Sequence, residues 1–169
     1  MSTVIVRDQT QADCAAVFDL VQEAFSTMKY ACGREQIVAS RLFESGEAVM
    51  LVAEDQGVIV GQASFSRVKI QGAEQWWGLG PIATTPSRQR QGIARKMLET
   101  GLARLRTMGA AGCVLVGDPA FYMRFGFLQG TGLYFEGVPA ENFLALPFTT
   151  ASVSSGQVHF HAAFDACAP

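Results

Sequence analysis

The sequence predicts an α+β fold, layered α/β/α, around a single mixed and mostly antiparallel sheet. Strand-like apolar segments recur along the chain, and three segments between them have apolar residues at helical spacing. A strand–helix–strand unit of about 40 residues in the middle of the chain requires a parallel pair. A tight turn between two earlier strands indicates an antiparallel hairpin. The length of 169 residues fits one domain, so we expect residues 1–169 to form it.

The N-terminal half is predicted to contain two helices and three strands. Residues 3–7 alternate between apolar and polar, like a strand, and Thr10 is placed to cap a helix over residues 10–25. A shorter helix is predicted over residues 34–43. Strands over residues 48–54 and 58–70 are joined by Asp55-Gln56-Gly57, which is typical of a hairpin turn.

The middle of the chain is predicted to form the parallel unit. Residues 76–83 are apolar but contain Pro81, which cannot donate to a ladder, so this strand should be an edge or should part from a neighbour there. A loop over 84–91 leads into a helix over 92–108, which Gly109 ends. A wholly apolar strand follows over 113–117, and Asp118-Pro119 then opens a short helix. Short strands are predicted over 133–135, 143–148 and 158–164.

The charge balance argues against nucleic acid and membrane partners. Thirteen Lys and Arg residues stand against 15 Asp and Glu residues, a formal charge of −2, so no global positive field exists. No apolar run reaches the length of a membrane helix, and the first residues lack the pattern of a signal peptide. We therefore expect a cytoplasmic protein.

The cysteines and histidines predict neither a disulfide framework nor a metal site. The four cysteines are scattered without a CxxC pair, so free thiols in a reducing compartment are expected. His159 and His161 would share a face if both lay on a strand, but no third ligand is near them in the sequence.

The segment from Pro86 to Lys96 predicts an anion site. Here a loop runs directly into a helix at Gly92, and a helix N-terminus presents unpaired N–H groups and partial positive charge. Gly92 would let the main chain approach an anion, and Ala94 keeps the first turn slim. Four basic residues lie in this segment: Arg88, Arg90, Arg95 and Lys96. Their charge opposes the helix dipole unless a polyphosphate binds; a solvated basic helix start is the other interpretation.

Three segments carry a resemblance to a known family. Gln89-Arg90-Gln91-Gly92-Ile93-Ala94 is similar to the Q/R-x-x-G-x-G/A motif of the GNAT superfamily of N-acetyltransferases, which use acetyl-CoA. The segments LGPIAT, from residue 79, and GDPAFYMRFGF, from residue 117, resemble a bacterial subgroup of predicted N-acetyltransferases. The resemblance is strongest between residues 76 and 127, and residues 158–164 are similar in a weaker way.

The resemblance implies an acyl-CoA N-acyltransferase fold. In that fold a central parallel pair of strands is splayed apart, and the pantetheine arm of acetyl-CoA lies between them and pairs with free main-chain groups. Pro81 marks the place where the residues themselves predict an interrupted ladder. Acetyl-CoA is the implied co-substrate, without a metal. The implied cofactor-binding residues are Ile82, Ala83, Thr84, Gln89, Arg90, Gln91, Gly92, Ile93, Ala94 and Arg95.

The resemblance also assigns a catalytic role. It implies that Tyr122 is the general acid for the departing thiolate, whereas packing among aromatic residues is the structural alternative. Asp118, four residues earlier, is interpreted as a helix cap rather than a cofactor contact. The family often has a Glu on the strand that corresponds to residues 76–83, and this chain has no carboxylate there. The general base is therefore open between water and four side chains: Glu54, Glu74, His159 and His161.

These observations predict an acetyl-CoA-dependent N-acetyltransferase that acts on a primary amine of a small molecule or peptide. A non-catalytic acyl-CoA-binding sensor is the alternative, and a nucleotide-binding domain is a third, weaker one. A homodimer is left open. Seven residues could line an acceptor pocket, although a core position is favoured for them: Phe18, Phe25, Met28, Tyr30, Trp76, Trp77 and Phe160.

Overall fold

The computed structural model describes residues 3–149 and 155–169. In chain order the strands are β1 (Ile5–Asp8), β2 (Val49–Asp55), β3 (Val58–Arg67), β4 (Lys69–Ile70), β5 (Trp76–Thr84), β6 (Gly112–Val116), β7 (Leu133–Tyr134), β8 (Phe143–Pro147) and β9 (Gly156–His159). The helices are α1 (Cys14–Phe25), α2 (Glu35–Ser45), α3 (Ile93–Thr107) and α4 (Pro119–Tyr122). No helix in these ranges is long and apolar enough to cross a membrane.

The chain forms two compact units, and it passes from one to the other within β3, within β5, within α3 and after His161. The first unit comprises the residues up to Phe65, Pro81–Gly101 and the residues from Ala162 onward; the second comprises Ser66–Gly80 and Leu102–His161. The expectation of a single domain over residues 1–169 stays a prediction.

The first unit contains the antiparallel part of the fold. β1 pairs with β2, β2 pairs with β3, and the N–H of Thr85 after β5 donates to the carbonyl of Val60 on β3 at 2.9 Å. The β2–β3 turn consists of Gln56 and Gly57, with φ of 49° and 82°, because two left-handed residues match the twist of a two-residue hairpin. The predicted hairpin is confirmed at this position.

Helices cover both faces of the sheet in the first unit. Val17 and Val21 of α1 pack with Val52 and Ala83. On β3, Gly61 and Phe65 lie on the opposite face from Gln62, which is paired with Val52. That opposite face holds α3: a β-carbon at Gly101 of α3 would lie 2.1 Å from Cζ of Phe65, so this glycine permits a close helix–sheet approach. The layered α/β/α arrangement is therefore present here.

The first helix begins later than predicted. A 3-10 turn over Gln11–Asp13 precedes α1. The backbone N–H and the hydroxyl of Thr10 donate to the Asp13 carboxylate at 2.8 and 3.0 Å. Arg7 also donates to Asp13, at 2.7 and 3.0 Å. These contacts hold the entry to α1 against β1.

The second unit contains the predicted parallel pair. β5 and β6 pair in parallel from Trp76↔Gly112 to Gly78↔Val114, and β6 pairs antiparallel with β8. The short strands β4, β9 and β7 form a separate three-stranded sheet. The sequence predicts one sheet, because strands of two residues carry no periodicity that would assign them elsewhere.

The last predicted strand is wrong in its second half. β9 ends at His159, and Ala162–Cys167 forms a 3-10 helix, which we call the C-terminal segment. Its Ala163 and Ala166 pack against Val38 and Leu42 of α2. Contacts three residues apart suit a helical turn and not a strand, so the packing partner decides the conformation.

The expectation of free thiols is wrong for two of the four cysteines. Cys32, in the connector between α1 and α2, forms a disulfide with Cys167, and their α-carbons are 5.5 Å apart. Cys14 and Cys113 are free. A separation of 135 residues leaves no local spacing from which this pair could be predicted.

Candidate active site

The loop between β5 and α3 has two residues in the left-handed conformation. Arg90 has φ of 63° and Gly92 has φ of 81°. A non-glycine residue at positive φ is uncommon and occurs at turns and at functional sites. A β-carbon on Gly92 would meet nothing within 4 Å, so this glycine is required by its conformation and faces open space.

The N-terminus of α3 presents its amides beyond Gly92. The N–H of Lys96 donates to the Gly92 carbonyl at 3.0 Å, which is the first hydrogen bond of the helix. The amides of the first turn therefore have no partner inside the helix, and the dipole adds partial positive charge. Ile93 and Met97 pack on Gly61, where a β-carbon would lie 2.9 Å from Cε of Met97. This close packing fixes the helix end on β3.

The glutamine side chains of the loop bind the loop itself. Nε2 of Gln89 donates to the carbonyl of Thr84, and Nε2 of Gln91 donates to that of Ser87, each at 3.4 Å. Nε of Arg88 donates to Oε1 of Gln91 at 2.9 Å. Gln89 and Gln91 of the predicted motif thus stabilise the backbone of the loop that leads into α3.

Three of the four predicted basic groups have partners in the protein. Arg88 forms an ion pair with Asp55 at 2.8 Å, and Arg95 forms one with Glu99 at 2.9 Å. Nζ of Lys96 donates to the carbonyl of Val4. Arg90 is exposed, and no ion pair within the described ranges holds its guanidinium. Arg90 is therefore the basic side chain most available to an anion at this helix end.

Strand β5 continues past its pairing with β6. The parallel register ends at Gly78↔Val114, whereas β5 extends to Thr84. Gly80, at φ of 144°, lies just after the last pair, next to Pro81. The predicted parting of the two strands is confirmed by this register. In the first unit, Ile82 is half-buried and Ala83 and Thr84 are buried.

Tyr122 is held by a capped turn after β6. The Asp118 carboxylate accepts the N–H of Ala120 at 2.9 Å, and Pro119 is the first residue of α4. The predicted cap is confirmed. The Tyr122 ring packs edge-on against Phe121 and Phe127, at centroid distances of 4.9 and 6.0 Å. Within the described ranges no hydrogen bond engages its hydroxyl.

The Tyr122 phenol is protonated at neutral pH, and burial raises its pKa further. Burial, with smaller contributions from Cys113 and Asp118, raises the pKa of Tyr122 to about 12. Burial also raises the pKa of the Cys113 thiol well above its usual range. At neutral pH both groups are therefore uncharged, and the phenol carries a proton that it can donate.

The candidate base Glu54 is an ion-pair partner. Nε and Nη2 of Arg7 lie 2.8 and 2.7 Å from its Oε2. Hydrogen bonds from Arg7 also hold the pKa of Asp13 well below its usual range. Arg7, Asp13 and Glu54 thus form one charge network at β1 and β2, which the sequence analysis missed because its members are up to 47 residues apart.

The other three candidate bases lie in the second unit. Glu74 is exposed, just before the N-terminal end of β5, so the strand itself contains no carboxylate. His159 is the exposed last residue of β9, and His161 lies beyond the strand. The two histidines therefore do not share a strand face.

One group within the described ranges has the residue types of a metal site. The ligand atoms of Cys32, Glu35 and Cys167 lie within 4.8 Å of one another. The two sulfurs are bonded to each other, however, so they have no thiolate to offer an ion.

Comparison with known proteins identifies the family of this chain. The profile of the acetyltransferase (GNAT) domain matches residues 5–130. The Escherichia coli K12 N-acetyltransferase YhbS, itself uncharacterized, is 34% identical over 127 residues, 73% of each chain. The chain belongs to the GNAT acetyltransferase family. The resemblance carried by the Gln89–Ala94 motif is confirmed.

Solved GNAT structures share the whole fold. An acetyltransferase from Brucella melitensis, in complex with acetyl-CoA, is 36% identical, has a TM-score of 0.85, and is covered over 99% of its length by 96% of this chain. The YhbS structure from Escherichia coli, in complex with CoA, is 28% identical with a TM-score of 0.86, and 98% of this chain covers 93% of it. The predicted acyl-CoA N-acyltransferase fold is therefore confirmed.

Family membership defines the class of reaction of this GNAT protein. It is an acetyl-CoA-dependent N-acetyltransferase, as predicted. The acceptor and the site residues are not part of the comparisons, and their assignment is a proposal.

Proposed function

We propose that the protein transfers the acetyl group of acetyl-CoA to a primary amine of a small molecule or peptide. The observation that carries the proposal is the first turn of α3, whose amides follow a left-handed Gly92 that has no described atom within 4 Å of its missing β-carbon. The acetyl-CoA and CoA complexes of the Brucella melitensis and Escherichia coli relatives support it. The cytoplasmic location and the homodimer stay predictions.

The residues of α3 and its loop fit a pyrophosphate. We assign its binding to the amides from Arg90 to Ala94 and to the Arg90 guanidinium, because an anion satisfies the unpaired donors and the helix dipole together. Gln89 and Gln91 support this binding indirectly, through their hydrogen bonds to the loop carbonyls. The ion pair of Arg95 with Glu99 competes with a contact between Arg95 and the pyrophosphate.

The end of β5 fits an extended amide chain. After Gly78 the strand is no longer paired with β6, so the main-chain groups of Ile82, Ala83 and Thr84 can pair with the pantetheine amides as an added strand would. The bound acetyl-CoA supplies an activated thioester. The protein's role is to hold the pantetheine arm extended and to keep the unpaired edge of β5 available for it.

Tyr122 is proposed as the general acid. Its Oη holds a proton at neutral pH because the pKa is about 12, and it can donate that proton to a thiolate. The ring packing and the Asp118 cap keep the phenol in place. The Phe121 and Phe127 contacts are also those of a structural aromatic, so the hydroxyl alone distinguishes the two roles.

The acceptor amine must lose a proton before it attacks. A primary amine with pKa near 10.4 is neutral about once in 10³ at pH 7. β5 has no carboxylate, and Glu54 is bound by Arg7. We therefore propose water as the route by which this proton leaves, and Glu74, His159 and His161 remain to be tested by substitution.

The test combines binding with turnover. Calorimetry with CoA measures the cofactor site, and incubation with acetyl-CoA and a panel of amines, followed by thiol release, measures transfer. We expect binding and amine-dependent thiol release. Binding without transfer to any small amine or peptide would favour an acyl-CoA-binding sensor, and absence of CoA binding would contradict the assignment of the α3 cradle.

A further inference from the structure

The connector between α1 and α2, residues 26–34, is joined covalently to the C-terminal segment. Cys32 lies in this connector and Cys167 ends the C-terminal segment, 135 residues later. The segment is positioned by its apolar side, since Ala163 and Ala166 pack against α2. The α-carbon distance of 5.5 Å is within the range for a disulfide, so the bond needs no displacement of either backbone.

The first part of the connector is exposed to solvent. Residues 26–30 are exposed, and Tyr30 is 92% exposed and Met28 is 55% exposed. Exposed side chains contribute little burial free energy to hold a segment in one conformation. The end of the connector that precedes α2 is held by the disulfide at Cys32 and by hydrogen bonds from the backbone of Cys32 and Gly33 to Glu35.

The surroundings of Cys32 suit exchange with a small thiol or disulfide. Cys32 is exposed and Cys167 is half-buried, so a reagent can reach the bond from solvent. The N–H of Arg34 donates to Sγ of Cys32 at 3.3 Å, at the N-terminus of α2, and both features stabilise a thiolate. This is the environment of a cysteine that reacts, in contrast to the fully buried Cys113.

The Glu35 carboxylate opposes this stabilisation of a Cys32 thiolate. Its buried carboxylate accepts the N–H groups of Cys32 and Gly33 at 3.1 and 2.9 Å, and Sγ of Cys32 lies 3.1 Å from Oε2. In the reduced protein the carboxylate accepts the S–H and its charge disfavours the thiolate. The same charge has no such effect on a neutral disulfide, so Glu35 sets how readily the pair exchanges.

We propose that Cys32 and Cys167 form a reversible disulfide that exchanges with low-molecular-weight disulfides such as oxidised glutathione and fixes the α1–α2 connector to the C-terminal segment. The Cys32 thiolate attacks one sulfur of oxidised glutathione and releases a glutathione thiolate. The Cys167 thiolate then attacks Sγ of Cys32 and releases the second glutathione thiolate. Two cysteine thiols are oxidised, one glutathione disulfide is reduced to two thiols, and the two cysteine protons pass to them.

The experiment equilibrates the full chain in buffers of different reduced-to-oxidised glutathione ratio. Free thiols are then trapped with a maleimide and located by peptide mass spectrometry. We expect Cys32 and Cys167 to gain or lose label together. Cys14 should label at every ratio and buried Cys113 at none in the native protein. When the glutathione ratio is changed and labelling is followed with time, Glu35→Gln should exchange several-fold faster, because it removes the carboxylate charge and keeps the side-chain shape.

Amide hydrogen exchange of the same samples tests the structural consequence. Oxidation should slow exchange in residues 26–34 and 162–167 and should raise the melting temperature by about 5–10 °C. Cys167→Ser should show the faster pattern in every buffer, whereas Cys14→Ser should behave as the parent does. If a serine variant does not fold, chemical reduction of the parent chain gives the same comparison.

Three results would overturn the proposal: independent labelling of the two cysteines, equal hydrogen exchange in both states, or stoichiometric zinc retained by the reduced protein. The proposal does not depend on the acetyltransferase assignment. CoA affinity should be equal in the oxidised and reduced forms, and a protein that binds no CoA in either form would contradict the proposed function and leave the disulfide result standing.

Discussion

A β-carbon on Gly117 would lie 2.6 Å from Cε2 of Tyr122, so the phenol packs directly on the bare backbone that follows β6. Asp118, the next residue, caps the turn that carries this tyrosine. Gly117 and Asp118 together therefore set where the Tyr122 hydroxyl lies.

Deleting the Tyr122 hydroxyl should slow the acetyl transfer. Tyr122→Phe keeps the ring and its aromatic contacts, so the fold should persist. General acid catalysis typically contributes about 10²–10⁴-fold, and we expect kcat to fall at least about tenfold with little change in CoA affinity or melting temperature. Steady-state kinetics with an acceptor found in the amine panel measures this change.

Tyr134→Phe is the matched control, because Tyr134 is half exposed and lies on β7, outside the assigned site. Its kcat should equal that of the parent. Since the pKa of Tyr122 is about 12, ionisation of this phenol should not lower the rate between pH 7 and about pH 10. Unchanged kcat in Tyr122→Phe would mean that water protonates the thiolate.

A methyl group at Gly117 should displace the Tyr122 ring. Gly117→Ala introduces a contact of 2.6 Å, and overpacking of this kind costs about 1–3 kcal/mol. We expect kcat to fall several-fold in the parent background. In Tyr122→Phe the same change should have little further effect on kcat, because the hydroxyl that it misplaces is already gone. A fully additive loss would contradict the positioning role.

A carboxylate at Gly92 should strongly weaken CoA binding without unfolding the protein. Gly92→Glu places negative charge at the helix end where the pyrophosphate is assigned, and loss of charge-assisted hydrogen bonds should weaken CoA about 10–100-fold or more. The left-handed conformation adds a stability cost of about 1–2 kcal/mol. Calorimetry and thermal melting separate these two effects.

Gly109→Glu is the control, because it introduces the same stability cost of a left-handed residue at the C-terminal end of α3. Gly109 has φ of 82° and, like Gly92, has no atom within 4 Å of its missing β-carbon. It should lower the melting temperature by a similar amount and leave CoA affinity unchanged. Equal CoA affinity in a folded Gly92→Glu would show that the pyrophosphate is not bound at this helix end.

Replacing Arg90 should weaken CoA binding in a salt-dependent way. Arg90→Gln removes the basic side chain of the loop that no carboxylate among the described residues engages, so we expect about tenfold weaker binding at low ionic strength. The difference from the parent should shrink at high salt, where phosphate contacts are screened. Arg41→Gln, an exposed change on α2, is the control and should have no effect. A salt-independent difference would argue against a phosphate contact.

Asp13 should make the fold sensitive to acid. Its folded-state pKa is depressed, chiefly by hydrogen bonds from Arg7, so the resulting stability is present above the unfolded pKa of about 3.9 and is lost as the pH falls below it. Asp13→Asn should lower the melting temperature at pH 7, and this deficit should narrow toward about pH 3. A deficit that is independent of pH would assign the effect to packing and not to ionisation.

The features that depend only on residues adjacent in the sequence could be predicted from it. The Gln56-Gly57 turn, the start of α3 just after Gly92 and the Asp118-Pro119 cap each follow from local backbone preference. The length of the β5–β6 pairing was also indicated, because Pro81 removes a donor within the strand. The helix end that we assign to the pyrophosphate is therefore visible in the sequence.

The charges around that helix end could not be assigned from the sequence. Arg88 and Arg95 were predicted to face an anion, but the first is paired with Asp55 across 33 positions and the second with Glu99 one turn away. An ion pair depends on which side chains the fold brings within about 4 Å, and many combinations fit the same composition. Only the structure shows that Arg90 differs from its neighbours.

By itself, then, the sequence determined most of the elements, the parallel pair and the loop-to-helix motif of a GNAT acetyltransferase, since backbone preference and hydrophobic period act over a few residues. The tertiary structure decided the features that depend on packing between residues far apart in the sequence. The residues after His159 form a 3-10 helix because Ala163 and Ala166 meet α2, and that packing brings Cys167 to Cys32. Two cysteines 135 residues apart have no local signal, because their encounter depends on the packing of the elements between them.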